Sequence, residues 1–289
     1  MDYKHHLGID LHIHSTASDG SLTPSEILQQ AQKLNLAAIA ITDHDSLEGS
    51  KAAIGIGIPS SIHFLTGVEI SAAYPSFFPG SGSLHILGYS IRLNDTVLNQ
   101  TLDKLQRARK NRNPEILKRL NKLGLPLSLE EVREEVGQGQ LGRPHIARAM
   151  VNKGYVQSID EAFDSFLGTD KPAYVDKYRI QCAEAIALIR GAGGIPVLAH
   201  PGLLNAAGEQ DLNHLIVNLI KIGIQGIEVY YPEHTHQQIN YYTDLAERHN
   251  LLITGGTDFH GTIMPKIKMG SGKGNLFIPY ELYEKLIDF

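Results

Sequence analysis

Asp10-Leu11-His12-Ile13-His14 sets two imidazoles two residues apart. In an extended strand alternate side chains share a face, so His12 and His14 would project together and could grip one cation. Two half-exposed surface histidines would have the same spacing, so the pair decides nothing alone. Asp19 follows in Ser18-Asp19-Gly20, where an aspartate also suits a turn. Thr42-Asp43-His44-Asp45 follows the apolar run Ala38-Ile39-Ala40-Ile41, and Glu69 follows Gly67-Val68. A carboxylate at the end of an apolar strand is costly to bury unless it is paired or holds a metal. His85 lies in Leu84-His85-Ile86, His200 in Ala199-His200-Pro201, and Asp258 and His260 flank Phe259. Any one of these could be a satisfied core histidine or a loop aspartate. Jointly they put a ligand type at or near the C-terminal end of nearly every apolar run. In an α/β barrel that end is the functional face. Nitrogen and oxygen donors without thiolate suit zinc, manganese or iron. Nine such positions exceed one tetrahedral shell, which implies two or three ions sharing a bridging carboxylate.

Those residues need strands to carry them. Seven near-continuous apolar runs read as buried parallel strands: Gly8–His14, Ala37–Asp43, His63–Ser71, Leu84–Ser90, Gly194–His200, Gly226–Tyr230 and Leu251–Asp258. Helical segments follow most of them. Thr23-Pro24-Ser25-Glu26 is a capping box with proline at the first helical position. The alternation predicts an α/β fold. It breaks between Asp95 and Tyr178, where Ser128-Leu129-Glu130-Glu131 and Ser158-Ile159-Asp160-Glu161 open further helices. Gly124, Pro126, Gly137, Gly139, Gly142 and Pro144 punctuate them. The expected organisation is a barrel, residues 1–94 and 179–289, interrupted by a helical insertion, residues 95–178.

Composition narrows the class. The 289 residues suffice for one full core, and the net charge of −5 gives no bulk attraction to nucleic acid or membrane. The single cysteine, Cys182, excludes an internal disulfide and a thiolate site. No leader-like or spanning apolar run is visible, which reads as a cytoplasmic protein away from the membrane, and nothing points to a stable protein partner. Of fourteen histidines, six fall at the positions above.

The string Asp10-Leu11-His12-Ile13-His14-Ser15, then Ser18-Asp19-Gly20, then Ile41-Thr42-Asp43-His44-Asp45, resembles the N-terminal signature of the PHP (polymerase and histidinol phosphatase) family. Gly67-Val68-Glu69, His85, Ala199-His200-Pro201 and Asp258-Phe259-His260 complete the pattern. The resemblance implies a distorted seven-stranded TIM-like (β/α)7 barrel with up to three divalent ions: Mn²⁺ first, with Fe²⁺, Zn²⁺ or Mg²⁺ as alternatives. Carried over, His12, His14, Glu69 and Asp258 would hold one ion. Glu69, His85 and His200 would hold a second, with Glu69 bridging, and Asp19, His44 and His260 a third. Asp43 would support rather than ligate. The implied nucleophile is a metal-bridged hydroxide positioned by Glu69 and His200, suited to phosphomonoester hydrolysis and its high uncatalysed barrier. Three carboxylate ligands against three divalent ions would leave the pocket positive, as an anionic substrate needs.

Gly142-Arg143-Pro144-His145 resembles the nucleoside 3′,5′-bisphosphate phosphatases of that family, some of whose relatives trim short 5′-phosphorylated oligonucleotides from the 5′ end. Arg143 is a planar fork suited to phosphate and His145 could add a hydrogen bond. Arg143-Pro144 would equally serve to open a helix. Lys104–Lys122 carries eight basic residues and one acid, Glu115. A solvated face is the plain reading; Arg109 and Arg112, three apart, are the candidates for a second phosphate. The substrate implied is a phosphorylated nucleotide or short oligonucleotide. The alternatives are another PHP phosphatase such as a histidinol phosphatase, a metal-dependent amidohydrolase, and a noncatalytic nucleic-acid-binding module. An amidohydrolase would want a bridging lysine where Glu69 stands, and a module would show gaps in the ligand set.

Overall fold

The computed structural model describes residues 7–75, 78, 84–135, 141–176, 178–204 and 208–289. Gly137 and Gly139 lie outside them. The strands are β1 (Ile9–Ile13), β2 (Ala38–Ile41), β3 (His63–Ala73), β4 (Leu84–Tyr89), β5 (Ile180–Gln181), β6 (Ile195–Leu198), β7 (Gly226–Tyr230) and β8 (Leu252–Gly255). The helices are α1 (Pro24–Lys33), α2 (Glu48–Ile56), α3 (Thr96–Lys122), α4 (Leu129–Glu134), α5 (Arg143–Asn152), α6 (Ile159–Ala162), α7 (Cys182–Gly191), α8 (Glu209–Lys221), α9 (His236–Arg248) and α10 (Glu281–Ile287).

Seven strands follow one path, β1-β2-β3-β4-β6-β7-β8, and the two-residue β5 pairs with β3. The curled sheet closes just past β8: His14 N–H donates to Phe259 O at 2.9 Å, and Ile13 and Phe259 form a parallel bridge. This is the distorted barrel expected from the sequence. Strands β1, β2 and β6 are buried at every residue, which is why their apolar runs do not alternate.

One strand runs against the expectation of a uniformly parallel set. β4 is antiparallel to both β3 and β6. Only ten residues, 74–83, join β3 to β4, fewer than the dozen or more that a crossover to a parallel strand takes, so the chain returns in the opposite sense. The reversal corrects the placement of His85. It stands at the start of β4, not the end, and the antiparallel sense brings that start to the functional rim. Other ligand types lie just beyond the strands: His14 after β1, His200 after β6 and Asp258 after β8. There the backbone leaves extended geometry, with His200 at φ 28° and Asp258 at φ 53°.

The stretch after β4 is helical through Leu167. The 27-residue α3 spans two cores. Its Leu98, Leu102 and Leu105 pack with β3, β4 and α7, whereas Ile116, Leu117 and Leu120 pack with Val132, Ile146 and Met150 of α4 and α5. Pro114 falls between the two halves. Ser128 accepts from Glu131 N–H and Ser158 from Glu161 N–H, so both expected caps form. No helix of the described residues is long and apolar enough to cross a membrane.

Candidate metal centre

The rim of the barrel gathers all nine ligand-type residues. His12, His14, Glu69 and Asp258 form one group whose candidate ligand atoms lie within 4.8 Å of one another; His14, Asp19, His44 and His260 form a second, and His44, Glu69 and His85 a third. His200 joins the last through Nε2, 3.0 Å from Glu69 Oε1 and 3.2 Å from His85 Nδ1. Glu69 is at the centre: Oε2 approaches His12 Nε2 at 3.5 Å, His14 Nε2 at 3.3 Å and His44 Nδ1 at 2.8 Å, while Oε1 approaches His85 Nδ1 at 2.8 Å. Asp258 Oδ1 lies 3.0 Å from His14 Nε2, and Asp19 Oδ1 lies 3.5 Å from His260 Nε2. These groupings contain the sets expected from the sequence, with His14 and His44 each shared between two of them.

The donor atoms fit cations better than they fit one another. His12 Nε2, His14 Nε2, Asp19 Oδ1, His44 Nδ1, Glu69 Oε2 and His200 Nδ1 are buried with no hydrogen-bond partner. A buried polar atom without a partner costs about 1–3 kcal/mol, so six in one cluster is a large cost without a ligand. All but His200 Nδ1 lie within 4 Å of another ligand-type atom yet lack hydrogen-bond geometry, as lone pairs aimed at a shared centre would. Electrostatics agrees. Burial alone would push His14 down, but Asp258 and Glu69 outweigh it and raise it to about 10. Burial likewise opposes, and Glu228, Asp258 and Glu69 reverse, the shift of His12, which stands well above its usual value. Burial dominates at His44, lowering it to about 4. Glu69 and Asp19 are held well below the usual carboxylate range, because the surrounding histidines outweigh burial. The cluster thus attracts positive charge, which protons supply when cations do not.

A second ring of buried groups holds the first. Asp43 accepts from Ser15 N–H at 2.7 Å, Ser15 Oγ at 2.7 Å and Ser18 Oγ at 2.5 Å, fixing the loop between His14 and Asp19. Asp10 accepts from Thr257 N–H and Gly270 N–H, tying β1 to the loop that carries Asp258. Tyr231 donates to Asp258 Oδ2 at 3.1 Å, and Glu228 touches two ligand-type residues. Sequence reasoning gives neither residue a place in the metal centre: Glu228 enters it only within Ile227-Glu228-Val229-Tyr230, a string like that of the same phosphatase subgroup, and Tyr231 only as an aromatic that could stack on a base. The rule that flagged Glu69, a carboxylate in an apolar strand, applies equally to Ile227-Glu228-Val229. These carboxylates also offset the positive excess that a count over the ligands alone suggests.

Positive charge at the mouth comes instead from α3 and α5. A cavity of about 230 Å³ opens over Asp19, His44, His85 and His260, and Arg109, Arg112, Arg143 and Phe163 form its other side. Arg109 is held by Asp45 at 3.2 Å and lies 4.0 Å from Asp19. Arg112 Nε donates to Val175 O at 2.8 Å, but its buried Nη2 has no partner. Burial and the neighbouring Arg143 lower Arg112 to about 10. Arg143 donates to Leu167 O at 3.0 Å and sits 5.5 Å and 5.7 Å from the Phe163 and Tyr174 ring centres. His145 is buried, and its Nδ1 accepts from Gly142 N–H at 3.1 Å. That ring nitrogen caps its own helix and is committed. The other basic residues of Lys104–Lys122 are exposed.

A family model for the PHP domain matches residues 10–254. The chain is 32% identical over 253 residues to a 3′,5′-nucleoside bisphosphate phosphatase of Chromobacterium violaceum, covering 87% of each. It is 33% identical over 251 residues to a 5′-3′ exoribonuclease of Haemophilus influenzae, covering 87% of this chain and 89% of the relative. Among solved structures it is similar to an amidohydrolase from Chromobacterium violaceum with bound sulfate and no metal, at a TM-score of 0.81 and 29% identity over 97% of this chain and 96% of that one.

Proposed function

Because the chain belongs to the PHP domain family, we propose that it removes the 3′-phosphate from nucleoside 3′,5′-bisphosphates. It is a phosphoric ester hydrolase, as its bisphosphate phosphatase relative is. The observation that carries the substrate choice is the cavity between the ligand cluster and the arginines. A substrate with one phosphate over His44, His85 and His260 can place its second phosphate against Arg112, whose Nη2 is buried without a partner. A charge-assisted hydrogen bond there would satisfy that nitrogen and relieve its crowding with Arg143.

Residues 95–178 serve as the substrate cap of a barrel formed by residues 1–94 and 179–289. The nine residues of the cluster would hold up to three divalent ions, Mn²⁺ foremost. Bound ions supply a water-derived nucleophile near neutral pH and neutralise phosphate charge. Around them, Glu69 and His200 orient the attack, Arg112 and Arg143 hold the distal phosphate, and Arg109 keeps the cap seated against Asp45. The neighbour described as an amidohydrolase shares the architecture, but here the shared position is Glu69 and no lysine among the described residues lines the cavity.

The test is purified protein with Mn²⁺ and adenosine 3′,5′-bisphosphate, following phosphate release and identifying the product. Adenosine 5′-monophosphate is the expected product. Turnover of histidinol phosphate with none of the bisphosphate overturns the substrate assignment. A second reading, stepwise removal of 5′ nucleotides from short oligonucleotides, is favoured by exposed Lys104, Arg107, Lys118 and Lys122 along α3. Mononucleotides released in order from a 5′-phosphorylated oligomer would support it.

A further inference from the structure

Glu228 is a fully buried acid that touches two ligand-type residues at once. It lies on β7 with no exposed surface, opposite Thr254 of β8. Its two oxygens do different work. Oε1 is 2.9 Å from His12 Nδ1, and Oε2 accepts the backbone N–H of His200 at 2.7 Å. A carboxylate in such a place is costly unless its partners compensate it.

Each contact bears on a ligand-type residue from a different group. In the neutral ring, the form that can bind a cation, a carboxylate at His12 Nδ1 holds the proton on that nitrogen and leaves the lone pair on Nε2. Nε2 is the atom that faces Glu69 at 3.5 Å and Asp258 at 3.4 Å without a partner. His200 has φ 28° and ψ 61°, a conformation a non-glycine residue adopts only under constraint. The bond to its N–H supplies that constraint and aims Nε2 at Glu69 Oε1. His234 braces the same turn, accepting Gly202 N–H at 3.1 Å.

We propose that Glu228 is a positioning residue that sets the His12 tautomer and the His200 backbone together, so that one side chain governs two ligand-type residues that meet different oxygens of Glu69. The proposal rests on the metal-binding reading of the cluster and not on the substrate, since phosphate release plays no part in its test.

The isosteric Glu228→Gln is the informative change. A glutamine amide turned toward His12 donates to Nδ1 and moves the ring proton to Nε2, where a cation should sit. Turned the other way, its NH₂ opposes the N–H of His200. Zn²⁺ affinity is measured by competition with a chromophoric chelator, retained metal by elemental analysis, and histidine tautomers by ¹⁵N NMR of the Zn²⁺-loaded protein. The expected result is a 10–100-fold weaker affinity, the usual scale for losing such a support, together with fewer ions retained. A variant that folds and binds Zn²⁺ with wild-type affinity and number overturns the proposal. The wild-type protein gives an independent check that survives any folding defect. With Zn²⁺ bound, the His12 ring should carry its proton on Nδ1, and a proton on Nε2 overturns the assignment.

Discussion

Gly256 lies directly against β1 where the barrel closes, and substituting it isolates the geometry of the metal centre from its chemistry. A Cβ built there would lie 2.1 Å from His12 Cβ, 2.4 Å from His12 N and 2.7 Å from His12 Cα. Two of those atoms are backbone, so no rotamer change relieves the clash. Carbon atoms pack comfortably near 3.5 Å, so Gly256→Ala must open the β1–β8 seam by about 1.4 Å. Asp258 is two residues on, and its Oδ1 now lies 3.0 Å from His14 Nε2 and 3.4 Å from His12 Nε2. A seam opening of that size moves the carboxylate off its shared centre with the two imidazoles. Overpacking of this kind costs about 1–3 kcal/mol of stability. Misplacing a reacting constellation by about 1 Å costs roughly a hundredfold in rate. We therefore expect Gly256→Ala to fold with a lowered melting temperature, to retain less metal, and to lose about a hundredfold or more in kcat/KM. Gly55→Ala is the control: it lies in α2 with nothing within 4 Å of its added Cβ, and alanine there should be neutral or slightly stabilising. Phosphate release with Mn²⁺ and elemental analysis of both variants decide the matter. Wild-type metal content and activity in Gly256→Ala would refute the argument that the β1–β8 approach sets the ligand geometry.

Three further outcomes follow from the same structure. Arg112→Met should raise KM for a nucleoside bisphosphate by about 10–100-fold, the scale of a hydrogen bond to a charged group, with kcat little changed; an equal effect on a nucleoside 3′-monophosphate would contradict its contact with the second phosphate. His12 and His14 stand above their usual values, His14 at about 10, so below that pH cations must displace protons from the metal-free cluster. Mn²⁺ affinity should therefore rise with pH from 6 to 9, by up to about tenfold per unit for each proton displaced, and calorimetry in buffers of different ionisation enthalpy should register the protons released; identical heats in all buffers would count against it. Leu120→Ala removes a fully buried side chain from the core that α3 shares with α4 and α5, and should cost about 2–5 kcal/mol in urea denaturation while leaving the metal content intact; a parallel loss of metal would mean that this core and the metal centre are one unit.

Much of the site was legible because strand geometry and ligand spacing share a period. His12 on β1 and His14 just past its end alternate, and apolar runs pointed to the strand ends beyond which His200 and Asp258 lie, whereas Glu69 falls inside β3, which runs on to Ala73. The sense of β4 was not legible. An apolar run looks the same in either direction, and only the shortness of the connection before it carries the information. The arginines divided in a way that charge counting could not foresee. Arg109 and Arg112 turn inward on α3, whereas six neighbouring cations stay in solvent, because burial there depends on what α5 and the residues near Val175 place opposite them. His145 had an evident partner in its own helix, since a side chain three residues past Gly142 can reach back to that N–H.

The reversed strand has a mechanical consequence. Because β4 starts at the rim, it ends at the opposite face of the barrel, where Arg92 N–H bonds Ala192 O. The chain must then climb back, and α3, about 40 Å long at 1.5 Å per residue, is the ladder it uses. Its lower turns are wall and its upper turns are roof. An engineer who wished to exchange the roof for another could not cut at Asp95 without pulling Leu98, Leu102 and Leu105 out of the wall. The graft would have to begin above Leu105, near Pro114, where one core ends and the next begins. If the roof is the substrate cap proposed above, a joint in mid-helix, and not at a loop, is where this architecture would permit it to be exchanged.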